Sequence, residues 1–184
     1  INKQAYQFSG FYEKVKFQDP PYTTTIEIVD FIRQATPDSL QYLIKDFFET
    51  VTFYDNRIVK IDKEKLPDGR YKVDIEYIIS KFRIDENGFK IYEDNPGEKL
   101  SLNSYESDDN IYSLPLSDYT EIGIFSDNNL KSRYPENSIY LKKHKSDQIR
   151  NKVSVIVNEE PFEVCIDPFF FFFYTDSDNN KMLF

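Results

Sequence analysis

The residues able to do chemistry in this chain are few and badly spaced for it. Hydrolytic zinc sites gather several histidine, cysteine or carboxylate ligands on one metal, yet the sequence holds one histidine, His144, and one cysteine, Cys165. No His-Glu-x-x-His occurs. His144 lies in the basic run Leu141-Lys142-Lys143-His144-Lys145 and is expected at an exposed strand edge, not as a ligand or base. Cys165, flanked by Val164 and Ile166, reads as a small core residue, because no histidine stands near it to raise its thiolate fraction. The run Asp176-Ser177-Asp178-Asn179-Asn180 opens like a calcium loop, with oxygen ligands at alternate positions. Lys181 then stands where such a loop needs glycine, and no bidentate glutamate follows, so a polar turn is expected. Carboxylate pairs such as Asp108 and Asp109 sit in a solvated stretch, without the opposed environments that acid/base work requires. Five scattered glycines leave no phosphate-cradling loop. The reading is therefore that this fragment has no catalytic residue, no metal site and no cofactor.

Composition narrows the partners. The 23 basic and 32 acidic residues leave a net charge of −9, whereas nucleic-acid binding draws on a basic patch that displaces condensed counterions. A nucleic-acid partner is not expected. One cysteine excludes an internal disulfide and leaves the compartment open. With 40% hydrophobic and 17% aromatic residues, the chain is rich enough in core-forming side chains to fold. It starts at Ile1 without an apolar leader and carries no stretch of about 18 apolar residues; it reads as an excised piece that does not insert into a membrane directly. The apolar run Phe169–Tyr174 is too short to cross a bilayer and is expected as a buried strand or a packed terminal segment.

Two hydrophobic periods divide the chain. Phe8, Phe11, Tyr12 and Val15 recur at helical spacing, as do Ile28, Phe31, Ile32 and Ala35, and then Leu40, Leu43, Ile44 and Phe47. These predict helices within 4–18, 24–36 and 37–50. Thr24 and Glu27 form a capping box for the second helix, and Thr36 before Pro37 an N-cap for the third. From Val51 the period is two, clearest in Tyr71, Val73, Ile75, Tyr77 and Ile79. Pro67-Asp68-Gly69 supplies a turn, so 51–65 and 70–84 are expected to pair antiparallel. Further strands are expected over 121–125, 138–143 and 152–157, where Val153, Val155 and Val157 alternate with polar residues around a less orderly Ile156. Residues 92–116, with Asn95-Pro96-Gly97 and an acidic stretch, read as a long exposed loop. The fold expected is α+β: a short helical segment over 1–50, then an antiparallel Ig-like β-sandwich of two packed sheets over 51–184.

Longer stretches carry a resemblance. Asp38 to Arg57 resembles the junction near the C-terminus of bacterial membrane proteins that fuse an ABC-transporter permease to a zinc aminopeptidase-like (gluzincin) domain. Leu66 to Val73, Asp118 to Phe125, Ile139 to Lys145 and Cys165 to Pro168 are similar to the same region, in the same order along most of residues 20–180. The resemblance implies that 1–50 is the tail of a peptidase helical domain and 51–184 an appended β-sandwich. It places the zinc ligands and general base upstream and carries no catalytic residue onto this chain. The implied function is a non-catalytic accessory domain that packs against or gates the upstream peptidase domain of the same polypeptide, on the extracytoplasmic (periplasmic) side of the bacterial inner membrane. In two places the chain departs from the family: 92–116 is an extra loop, and Phe169–Phe173 replaces a more polar stretch.

Two functional expectations follow. An accessory domain would leave Phe8, Phe11, Tyr12 and Val15 as an interaction surface where the missing helices packed. A self-contained binding module for a polypeptide or glycan would instead show an aromatic groove among its loops, with Tyr92, Tyr105, Tyr112 and Tyr119 as candidates.

Overall fold

The computed structural model describes residues 24–92, 100–101, 111–126, 135–174 and 176–184. The predicted helix over 4–18, with Phe8, Phe11, Tyr12 and Val15, lies outside the described residues. The chain divides into two compact units, Ile1–Val51 and Thr52–Phe184. Within the described residues it is mostly antiparallel β-sheet with a few short helices.

In the first unit a helix spans Thr25–Ala35. It starts as its sequence dictates: the Thr24 hydroxyl accepts from the Glu27 amide, and the Glu27 carboxylate accepts from the Thr24 amide at 2.7 Å. The segment expected as one helix over 37–50 is instead broken into a 3-10 turn Asp38–Leu40, an α turn Tyr42–Ile44 and a π turn Lys45–Glu49. Thr36 does not cap it. The Thr36 hydroxyl donates back to the Ile32 carbonyl at 2.7 Å, closing the preceding helix, and the Gln41 side chain takes up the Arg33 and Thr36 carbonyls at the corner. Those orphan carbonyls at the helix end are satisfied locally, so the next segment begins on Pro37 without a side-chain cap. The π turn, closed by Thr50 amide to Lys45 carbonyl, shifts the helical register, and Phe47 leaves the apolar stripe for solvent.

The second unit holds strands β1 (Thr52–Tyr54), β2 (Arg57–Lys65), β3 (Tyr71–Ile78), β4 (Lys81–Ile84), β5 (Phe89–Ile91), β6 (Leu100–Ser101), β7 (Asp118–Phe125), β8 (Ser138–Ser146), β9 (Arg150–Val157), β10 (Glu163–Ile166) and β11 (Lys181–Leu183). They form three sheets, ordered β1-β4-β5-β6, β11-β10-β7-β8 and β2-β3-β9, where two sheets were expected. The reason is a hairpin that changes sheets. Tyr54 stands opposite Lys81 and Arg57 opposite Ile78, one register carried across Asp55–Asn56 and Ile79–Ser80. Asp55 and Ser80 exchange backbone hydrogen bonds at the break, but the two halves take different neighbours, β5 for β4 and β9 for β3.

The turn of that hairpin needs glycine. Gly69 sits at φ +89 after the Pro67-Asp68 corner, with its amide on the Leu66 carbonyl, and Leu66 and Arg70 close the loop. Gly88, at φ +82, repeats the device between β4 and β5, where Asp85 accepts from the Asn87 and Phe89 amides. One apolar cluster draws Ile58, Val73, Ile75, Tyr77, Val155 and Val157 from the three-stranded sheet together with Ile122, Ile124, Val164 and Ile166 from β7 and β10. The segment 92–116 is not simply an exposed loop. It supplies buried Tyr92 and Leu114, and the Leu114 amide bonds to the Lys81 carbonyl.

Candidate interaction site

Past β10 the chain makes a loop whose shape is set by one buried carboxylate. The Asp167 amide continues the β7 pairing by donating to the Glu121 carbonyl, and the residue then turns to φ +47, a left-handed conformation that aspartate tolerates better than most. Its carboxylate accepts from the Phe171 amide at 3.0 Å on Oδ1, and from the Phe172 amide at 3.0 Å and the Tyr174 hydroxyl at 2.9 Å on Oδ2. Asn56 Nδ2 donates to that same hydroxyl at 3.1 Å. Burial, then the adjacent Asp167 charge, pushes the Tyr174 phenol far above its usual range, so it stays a proton donor to the carboxylate.

The loop is pinned at both ends. Pro168 lies over Gly123, where a Cβ would meet Pro168 Cγ and the Phe125 ring at 3.1 Å each, so any larger residue would push the loop or the ring back by a few tenths of an ångström. At the far end the Tyr54 amide donates to the Phe173 carbonyl at 2.7 Å, and Tyr54 bridges to Tyr174 in parallel sense. Phe172 turns onto the buried Tyr54 ring, centroids 4.2 Å apart. Its neighbours turn the other way: Phe170, Phe171 and Phe173 are 54%, 65% and 69% exposed. The expectation of a buried strand or packed segment over Phe169–Tyr174 is thus corrected. A run without polar residues carries no period to say which side faces water; Asp167 and Tyr54 decide it.

Beneath the loop lies a buried ion pair. Lys81 Nζ is 3.1 Å from Asp118 Oδ2, with side chains 2% and 1% exposed, and the Tyr54 hydroxyl donates to Asp118 Oδ1 at 3.3 Å. Tyr54 therefore touches both the ion pair and the phenylalanine loop.

The residues singled out by type are dispersed. His144 lies on β8, an edge strand as expected, but is half-buried there: its Nε2 is 2.8 Å from the Tyr140 hydroxyl, the rings stack, and burial, then the charge of Lys142, lowers its pKa. Cys165 is a buried thiol inside β10. In the stretch 176–180, Asp176 accepts from the Asp178 amide, and the Lys181 ammonium lies 3.4 Å from Asp178 Oδ1. Among the described residues no three His, Cys, Asp or Glu side chains come together as a metal site. Tyr92 and Tyr112 meet at 5.7 Å, with Tyr92 buried against Phe82 and Tyr112 half-buried. Tyr119 is exposed on β7, and Tyr105 lies outside the described residues.

Sequence reasoning missed the loop, although Asp167-Pro168 before five phenylalanines marks a side-chain-capped turn. No protein-family model, no curated protein and no solved structure matches the chain.

Proposed function

We propose that this chain is a non-catalytic docking module, an Ig-like β-sandwich that serves as the accessory domain of a zinc aminopeptidase-like membrane protein and binds through the Phe169–Phe173 loop. The parentage is supported by the five sequence segments from Asp38 to Pro168. The docking role is carried by one observation: three exposed phenylalanines on a loop held by Asp167 and Tyr54. Exposed aromatic rings grouped on a rigid support mark interaction sites, because their burial against a partner costs little conformational entropy. The backbone strain points the same way. Phe170 sits at φ +57, a conformation that costs about 1–3 kcal/mol in a bulky residue and persists where neighbouring contacts impose it.

The test is a triple substitution, Phe170, Phe171 and Phe173 each to serine. The docking reading expects a urea midpoint near that of wild type and a sharp fall in apolar-dye binding and in retention on a hydrophobic column. A loss above about 2 kcal/mol would place the rings in the core and overturn the reading. The non-catalytic reading expects neither aminoacyl-reporter hydrolysis nor stoichiometric zinc in purified protein, and chelator-sensitive peptidase activity would overturn it.

A further inference from the structure

Resting on the docking reading, we infer that the partner of the phenylalanine loop is an anionic lipid surface, on which the module lies without spanning it. No helix among the described residues is long and apolar enough to cross a membrane, and interfacial attachment needs none: it takes apolar side chains that enter the headgroup boundary and cations that meet the lipid phosphates.

Both are present on one face. Pro168 covers Gly123, which puts the loop on the side of β7 that Gly123 shows. By strand alternation Glu121 and Tyr119 show the same side, and by register so do their β8 partners Lys143 and Lys145. Lys143 reaches the loop itself, its Nζ 6.0 Å from the Phe171 ring centroid. Lys143 and Lys145 are exposed, and so is the Tyr119 ring opposite Lys145, an amphipathic ring of the kind that settles at headgroup depth. Strand β8 contains no carboxylate, in a chain whose net charge is −9. Glu121, opposite Lys143, is half-buried, and Glu163, which its register with Phe125 puts on the same side, is buried, as is Asp167 in the loop, so the fully exposed charges that β7 and β8 show on this face are Lys143 and Lys145. The cations are therefore placed where the rings are, against the charge of the whole.

The manner of display also favours lipid over a folded partner. Phe170, Phe171 and Phe173 stand exposed on the loop, whereas their neighbour Phe172 packs inward on Tyr54. A protein pocket demands one shape for each ring, whereas acyl chains yield around rings pointing any way.

The experiment is sedimentation with vesicles of phosphatidylcholine alone and with added phosphatidylglycerol, using wild type, F171S/F173S and K143E/K145E, each first shown to be folded by circular dichroism. Wild type should partition at least tenfold more strongly onto the anionic vesicles, and less so as salt rises. F171S/F173S should lose at least tenfold of that partition. K143E/K145E should fall to the level of phosphatidylcholine alone, since each cation near an anionic surface is worth about fivefold in binding. If F171S/F173S does not fold, F173S alone, which alters the most exposed ring, serves in its place. Equal binding to both vesicle types, or binding indifferent to the phenylalanines, overturns the inference. Failure of wild type to bind vesicles overturns it too, and self-association lost in F171S/F173S would then assign the loop to a second copy of the chain. In either of those outcomes the docking reading stands or falls separately, on the stability and column retention of the triple variant.

Discussion

Replacing Asp167 with asparagine isolates the electrostatics of the loop anchor, because the amide keeps the carboxylate's shape and tolerates φ +47. Three donors converge on the carboxylate, one on Oδ1 and two on Oδ2. With the amide oxygen in the Oδ2 place, the bonds to the Phe172 amide and the Tyr174 hydroxyl survive as neutral ones, each weaker by about 1 kcal/mol than a charge-assisted bond. The amide NH2 is then driven against the Phe171 N–H, and two donors face each other without an acceptor, at a cost of about 1–3 kcal/mol. The total is about 3–5 kcal/mol, and global stability should fall by that amount or by the smaller free energy at which the loop detaches by itself. Urea unfolding followed by far-UV circular dichroism reads the first. Chymotrypsin, which cuts after phenylalanine, reads the second: each 1.4 kcal/mol of loop destabilisation raises the open population about tenfold. Unchanged cleavage within 169–174 together with a stability change under about 0.5 kcal/mol would refute the assignment of Asp167 as the anchor.

The Lys81–Asp118 pair should behave as a unit. Lys81→Met or Asp118→Leu alone leaves a buried charge uncompensated and should cost about 3–5 kcal/mol, whereas the double variant should recover most of that loss; additive costs in the cycle would refute the coupling. His144 should make stability depend on pH near neutrality. Its folded pKa lies below the unfolded value, so the unfolded chain takes the proton first, and the stability present above about pH 6.5 is lost as pH falls from there through the lower folded pKa. The urea midpoint should drop between about pH 7.5 and about pH 5.5, and His144→Gln, which removes the sole histidine, should flatten that drop; an equal slope in the variant would exclude His144 as its source.

What the chain determines locally is legible in its residues. Thr24 and Glu27 satisfy each other's backbone within one helical turn, and Pro67-Asp68-Gly69 needs no distant partner to reverse the chain, so both features follow from neighbours in sequence. The alternation of Val73, Ile75 and Tyr77 likewise marks a strand with one face buried, and the apolar neighbours of Cys165 mark a core thiol. Other features rest on contacts between residues far apart in the chain. Nothing near Asp55–Asn56 signals that the hairpin changes sheets there, because the change comes from β5 and β9 arriving on different halves of the opposite strand. Asn87-Gly88 falls between the strand expected over 70–84 and the loop expected over 92–116, and the turn it makes joins β4 to β5, strands too short to show a period. Short strands such as β10 and β11 hold too few residues to show a period and exist because β7 and β10 offer them edges. The same holds for the phenylalanine run: five like side chains state no direction. Tyr54 and Asn56, close in sequence, meet Asp118, Asp167 and Tyr174, scores of residues further along, and together they turn Phe172 inward and leave Phe170, Phe171 and Phe173 in solvent.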